Sequence, residues 1–267
     1  CRYHLPLRVL LLPGGGEFSY HRSNKTDKLS FMLPLTLPDF RPRSSDSVLR
    51  LTSLSRLYLS LMNREGQPDL QKKIDVLSRA MFRKAASEAT PLVDRLHLLS
   101  SLYDLLTGTS YIVDRQKTDR WDALAEEVIK KGLPAAKAGD EPTLVALCCC
   151  LTDYFYFDPS PEEDPWFLFL RDTVTMFGEG LTSSKAWPGL SLEEALARLE
   201  LLNRYSYMFL EHRWDKVVAE AFQYYKDRAL DTSSLSWRAR LSLYDLSVSD
   251  NAYPLDEVLV DTLMPSN

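Results

Sequence analysis

Cys148, Cys149 and Cys150 form the densest cluster of potentially reactive side chains in this 267-residue chain, because thiolates ligate metals and attack electrophiles. Their spacing works against both uses. Consecutive residues of a helix project about 100° apart, so the three cannot converge on one ion, and no Cys-x-x-Cys pair or nearby histidine completes a ligand set. They read as small buried hydrophobes of a tightly packed helix, and the lack of paired spacing suits a reducing compartment.

Four histidines, His4, His21, His97 and His212, are scattered along the chain. No His-Glu-x-x-His pair, Gly-x-Ser-x-Gly elbow or glycine-rich dinucleotide turn accompanies them. Asn24-Lys25-Thr26-Asp27 matches a base-reading tetrapeptide of GTPases, yet Gly14 to Gly16 is followed by Glu17 and no lysine-hydroxyl pair, so no phosphate cradle precedes it. Asn24-Lys25-Thr26 is also a glycosylation sequon, which matters only in a secreted chain. Glu162, Glu163 and Asp164 precede Trp166, where carboxylates suit a helix N-terminus. No catalytic, cofactor-binding or metal-ligating residue is expected. A toroid-type helical lyase or hydrolase would need Glu126, Glu194 or Asp245 to share a deep pocket with His97.

Charge is divided unevenly. Residues 1 to 50 carry eight basic and four acidic side chains, net +4, and the rest carries 24 basic and 33 acidic, net −9, in agreement with the total of −5. The basic side chains Arg2, Arg8, Arg22, Lys25, Lys28, Arg41 and Arg43 alternate with Tyr3, Phe18, Tyr20, Phe31 and Phe40. Such a mixture can pair with phosphates and stack on bases, or fill a partner's apolar groove. These seven cations are the candidate RNA- or partner-contacting residues. They lie in a segment without helical periodicity: RVLLL, residues 8–12, could be a short strand, Pro13-Gly14-Gly15-Gly16 is a turn, and Pro34, Pro38 and Pro42 keep the backbone extended.

The acidic remainder is organised by repetition. A helix opens near Leu70, Trp121, Trp166, Trp214 and Leu255, at spacings of 51, 45, 48 and 41 residues, around the ~40–47 of two-helix repeats. Second helices run LTSLSRLYLSL, DRLHLLSSLYDLL, LVALCCCLTDYFYF, ALARLELLNRYSYMF and SWRARLSLYDLSV, placing Tyr58, Tyr103, Tyr154, Tyr205 and Tyr244 on an apolar stripe near the C-terminal end. One hairpin of this size cannot bury its apolar face, so neighbours must stack. Trp121, Trp166 and Trp214 are then expected at equivalent, buried places. Asp119, Asp164 and Ser191 stand where N-caps are wanted, and Pro165 and Pro254 at first helical positions. Residues 51–63 lack a first helix and Pro254 to Met264 lack a second. Both ends of the stack are therefore expected to be uncapped, the front covered by residues 1–50 and the back by a partner, a further domain or another copy.

Composition is that of a globular chain, 45% hydrophobic and 26% charged. The most apolar run, Leu144 to Leu151, is far shorter than the ~20 residues that span a bilayer. Cys1 in place of methionine reads as a processed or truncated start, with a targeting peptide removed upstream; a lipid-modified bacterial cysteine would expect a more polar spacer than RYHLPLRVLLL.

The helix pairs, with LxxLLxxLYDLL-like second helices and W-x-x-(L/V)-(A/V)-type first helices, resemble the organellar helical-repeat proteins of the FAST-kinase-like and RAP-domain group, including heptatricopeptide-type repeats. Arg95 to Leu106, Arg120 to Lys131, Leu192 to Met208, Arg213 to Tyr225 and Leu235 to Asp250 carry the likeness, which covers residues 50 to 264. It implies mitochondrial or plastid residence and work on RNA or in ribonucleoproteins. An acidic body opposes tracking of phosphates, and the chain has no RAP segment at its end. The expectation is a mostly α protein, an α-solenoid of about five two-helix repeats over residues 47–267 behind an extended, irregular, basic arm over residues 1–46. Its expected role is that of a non-catalytic structural subunit of a large organellar ribonucleoprotein, foremost a mitochondrial ribosome. Partners would be other protein subunits, with structural RNA met through the arm, and no membrane span or small-molecule substrate. A TPR- or HEAT-like protein scaffold, in mitochondria or cytoplasm, is the alternative, ahead of a toroid-type enzyme or a bacterial lipoprotein.

Overall fold

The computed structural model describes residues 42–62, 69–108, 115–156, 161–226 and 235–250. Every regular element among them is helical, and none is a strand. The helices are α1 (Val48–Met62), α2 (Leu70–Ala86), α3 (Leu92–Gly108), α4 (Arg115–Lys137), α5 (Glu141–Tyr154), α6 (Pro165–Thr182), α7 (Leu192–Phe209), α8 (Asp215–Lys226) and α9 (Trp237–Asp250). The arm as far as residue 41, including its expected strand and turn, and the opening helix at Pro254–Met264 lie outside the described residues.

Helix starts follow local chemistry. Ser47 Oγ accepts the Arg50 N–H at 3.2 Å ahead of α1, and Asp164 accepts the Trp166 N–H at 2.7 Å with Pro165 at the first position of α6. Ser191 and Glu194 form a capping box: the Ser191 hydroxyl accepts the Glu194 N–H, and the Glu194 carboxylate accepts the Ser191 N–H. Asp119 does not act as a cap. It lies inside α4, which begins at Arg115 and makes its first turn before the apolar pattern starts.

Packing order follows the two-helix alternation. Inner helices α1, α3, α5, α7 and α9 each pack on the next, while α2, α4 and α6 each bridge the inner helix before and the one after, and α8 lies on α7 and α6. In α5, residues 145 to 153 are all buried. A helix apolar on every side must be covered on every side, and this one sits between α3 and α7 with α4 and α6 outside. That surrounding explains the cysteine run: Cys148, Cys149 and Cys150 are core hydrophobes, between 0% and 5% exposed. No helix among the described residues is long and apolar enough to cross a membrane.

Two expectations change. The last described inner helix, α9, returns to pack against α1, and Leu51, Thr52, Ser53 and Ser55 of α1 are fully buried. The front helix therefore meets the chain's own last described helix, while its expected cover by residues 1–50 falls largely outside the described residues. The tryptophan register also fails. Trp121 is buried in the second turn of α4, where its Nε1–H donates to the Leu99 carbonyl at 2.9 Å. Trp214 is buried in a 3-10 turn ahead of α8. Trp166 is only half-buried, and Phe167 beside it turns into the core. The tyrosines serve as better markers: Tyr58, Tyr103 and Tyr205 are buried, and Tyr154 is half-buried against Trp166 at 5.9 Å between ring centroids.

Trp214 lies on Gly178 of α6, where a Cβ would come within 2.5 Å of the indole. Helix interiors ordinarily prefer alanine by roughly 1 kcal/mol. Here Gly178→Ala is expected to destabilise instead, by about 1–3 kcal/mol as overpacking does. Urea titration at fixed pH checks the sign; unchanged or raised stability would show that Trp214 can move aside.

Candidate functional site

Each inner helix carries a charged residue within two positions of its repeat tyrosine: Arg56, Asp104, Asp153, Arg204 and Asp245. Apolar stripes rarely hold charges unless these find partners. The structure brings all five together. Arg56 of α1 donates through its two ends to the Asp245 carboxylate of α9 at 2.7 and 3.3 Å, and to the Ser101 hydroxyl of α3 at 2.6 Å. Arg204 of α7 donates to Asp153 of α5 at 2.8 Å and to both oxygens of Asp104 of α3 at 2.7 and 3.3 Å. Arg56 also approaches Asp104 at 3.9 Å, which joins the two halves. Glu200, one turn before Arg204, accepts the Ser242 hydroxyl of α9.

The network is closed on one side and open on the other. Asp153 is 1% exposed and Arg56 7%, whereas the Asp104 and Asp245 side chains keep 23% and 26% of their surface. Burial pushes the Asp153 carboxyl up, with Asp104 adding to it, although Arg204 pulls the other way. Burial likewise raises Glu200, assisted by Asp245, against the pull of Ser242, Arg56 and Arg204. Two guanidiniums facing four carboxyls balance when these two deep carboxyls hold protons. Both arginines stay charged: burial opposes their charge, and Asp245 and Asp104 for Arg56, or Asp104 and Asp153 for Arg204, outweigh it.

Chemically, this arrangement can clamp but is poorly disposed to react. Asp104, Asp153 and Asp245 are held by arginine and Glu200 by serine. Among the described residues no group of three or more His, Cys, Asp or Glu side chains is arranged to hold a metal ion. The residues an enzyme reading would need each have other engagements. Glu126 is half-buried and paired with Lys130 at 2.5 Å, Glu194 serves its capping box, and Asp245 belongs to Arg56. His97 rests its ring edge on Trp237 at 5.9 Å. Loss of solvation lowers its pKa to about 3, with Arg238 and Arg56 contributing, so it stays neutral.

Of the arm's cations, Arg2, Arg8, Arg22, Lys25, Lys28 and Arg41 lie outside the described residues. Arg43 is exposed; its N–H donates to Asp46 at 2.9 Å, and it shapes the turn before α1. A cleft of about 410 Å³ opens near that turn, where Ser47 and Val48 of α1 face Lys84 of α2, Thr90 and Asp94 at the start of α3, and Trp237 of α9.

No protein-family model, no curated protein and no solved structure matches this chain.

Proposed function

We propose that the chain is a non-catalytic helical-repeat scaffold, a structural subunit of a large organellar ribonucleoprotein, foremost a mitochondrial ribosome. The observation that carries the reading is the packing order of the helices. Inner helices stack in sequence while α2, α4 and α6 bridge them from outside, as expected of an α-solenoid whose repeat is the two-helix unit. The solenoid would turn tightly enough for α9 to come back to α1. Polar chemistry in its interior is taken up by ion pairs between repeats, as suits a scaffold that must hold a fixed curvature.

Affinity purification of the tagged full chain from its source, followed by mass spectrometry and RNA sequencing of the eluate, tests this. Co-purification of ribosomal proteins and ribosomal RNA is the expected result. Recovery without either would sink the ribonucleoprotein reading. A protein-only scaffold of the TPR or HEAT kind is favoured by the exposed Met176, Tyr207 and Leu210, which are 54%, 38% and 64% accessible and could anchor a partner protein. Nuclease treatment before elution separates the two, because a protein-only assembly would survive it intact.

A further inference from the structure

The outer helix α2 is a cationic rib on an acidic body. Lys72, Lys73, Arg79, Arg83 and Lys84 fall within an arc of about 140° on its surface, from a turn of about 100° per residue. Lys72, Arg79 and Arg83 are exposed, as is Arg120 of α4, whose guanidinium sits 4.6 Å over the Phe82 ring and extends the patch sideways. Most other arginines of the described body are bound to carboxylates, as in Arg56–Asp245, Arg95–Glu127, Arg198–Glu141 and Arg204–Asp153. By contrast Lys73, Arg79, Arg83 and Arg120 form no ion pair with any described residue, and Lys72 meets only the exposed Asp69 at 3.3 Å.

We propose that this rib, Lys72-Lys73-Arg79-Arg83 with Arg120, is a docking surface for the phosphate backbone of RNA. The inference rests on the ribonucleoprotein reading and names the surface of the helical body that would meet the RNA. Charge complementarity selects the occupant. Cores of protein interfaces are depleted of charge and built on aromatic or apolar anchors, whereas the exposed face of α2 offers only the half-buried Val76. Apolar exposure is found elsewhere, at Met176, Tyr207 and Leu210. A lipid surface needs an apolar helix face to insert, and that face of α2, with Ile74, Leu77, Met81 and Ala85, is buried in the core. Phosphates need cations that are uncompensated and spread along a line. Arg79 and Arg83 stand one turn apart, about 6 Å, and Lys72 lies about 10 Å further along the axis. Arginine forks hold phosphate through two N–H donors.

The test uses the full chain and a fluorescently labelled mixed-sequence RNA hairpin, titrated between 50 and 300 mM salt. Replacing Lys72, Arg79, Arg83 and Arg120 by glutamine keeps stem length and helix propensity, and circular dichroism verifies the fold. Affinity at 0.1 M salt should fall by about 100-fold, and the slope of log affinity against log salt should flatten by about 3, from the counterions released per phosphate contact. The matched variant Lys137→Gln/Arg171→Gln/Lys185→Gln/Lys216→Gln, on other exposed surface, should bind as the parent does. Unchanged binding by the rib variant overturns the inference and leaves the ribonucleoprotein reading standing on the arm. Binding of poly-glutamate but not RNA, lost in the rib variant, would identify the occupant as acidic protein and overturn it too. Binding of neither overturns both.

Discussion

Arg204→Met should destabilise the protein by about 3–5 kcal/mol at pH 9.5, the cost of removing one partner from a buried ion-pair cluster. Among the described residues Arg204 is the single cation holding Asp153, which is 1% exposed, and it holds both oxygens of Asp104 besides. Methionine restores much of the stem's volume and none of the charge. The loss should shrink as the pH falls. A carboxyl whose folded pKa is raised stabilises the fold fully below its unfolded pKa, near 4, and loses that contribution as the pH rises through the folded value. Asp153 already has its pKa raised by burial, and Arg204 is the main group opposing that rise. Without it the folded pKa climbs further, so the variant falls behind the parent progressively as the pH rises through about 8, the folded value in the parent. Asp153→Asn in the same chain should recover more than half of the loss at pH 9.5. Urea denaturation at pH 6 and 9.5, on either side of that value, measures all of this. A loss below about 1 kcal/mol, or one independent of pH, would show that water or a shifted partner replaces the guanidinium.

How far the sequence could anticipate this molecule depends on which residue marked the repeat. The expected tyrosine stripe holds at three of its five positions, Tyr154 being half-buried and the Tyr244 side chain outside the described residues, because a Leu-x-x-Tyr stripe reports the buried face of one helix, a local property. Tyr58, Tyr103 and Tyr205 accordingly lie in the core. The tryptophan register depends on where a first helix begins, which loop geometry decides. Pro165 and Asp164 start α6 one residue before Trp166, while α4 starts six residues before Trp121. Asp119 loses its expected capping role for the same reason. The ion-pair network left a visible trace, a charge beside each tyrosine, but its meaning required knowing that five helices separated by up to 189 positions, from Arg56 to Asp245, meet at one level. Sequence pattern gives the face of a helix; it does not give the neighbour. The return of α9 to α1 was invisible for that reason.

Buried ion pairs add little net stability compared with well-packed apolar residues, and their attested use is to fix register. That use fits a stack whose inner helices are otherwise interchangeable stripes of leucine. Leu-rich α1, α3, α5, α7 and α9 could pack in several orders and slide by a turn. Arg56 with Asp245, and Arg204 with Asp104 and Asp153, reject those alternatives because any slip would leave a charge buried and unpaired.

Arg56→Met carries that idea to the closure of the stack and should cost a similar ~3–5 kcal/mol, with a different signature. Arg56 is the side chain that ties the first inner helix to the last, through Asp245, and it also reaches Ser101 and Asp104 of α3. Among the described residues α9 is also anchored through Arg238 to Asp94 and Ser242 to Glu200, and just ahead of it the Ser236 N–H donates to Glu193. Losing the Arg56 clamp takes that guanidinium from the partly buried Asp245, and the carboxylate's quickest relief is to swing toward water with α9. Hydrogen exchange should therefore show the α9 amides opening well below the free energy of global unfolding, while amides of α5, walled in by its four neighbours, still exchange only with the whole molecule. A double-mutant cycle with Asp245→Asn should return a coupling of about 1–3 kcal/mol. If α9 kept the protection of α5 in Arg56→Met, the closure would rest on apolar contact between α9 and α7. The charged residues at the seam would then be passengers of the fold, and the curvature proposed for the scaffold would need another origin.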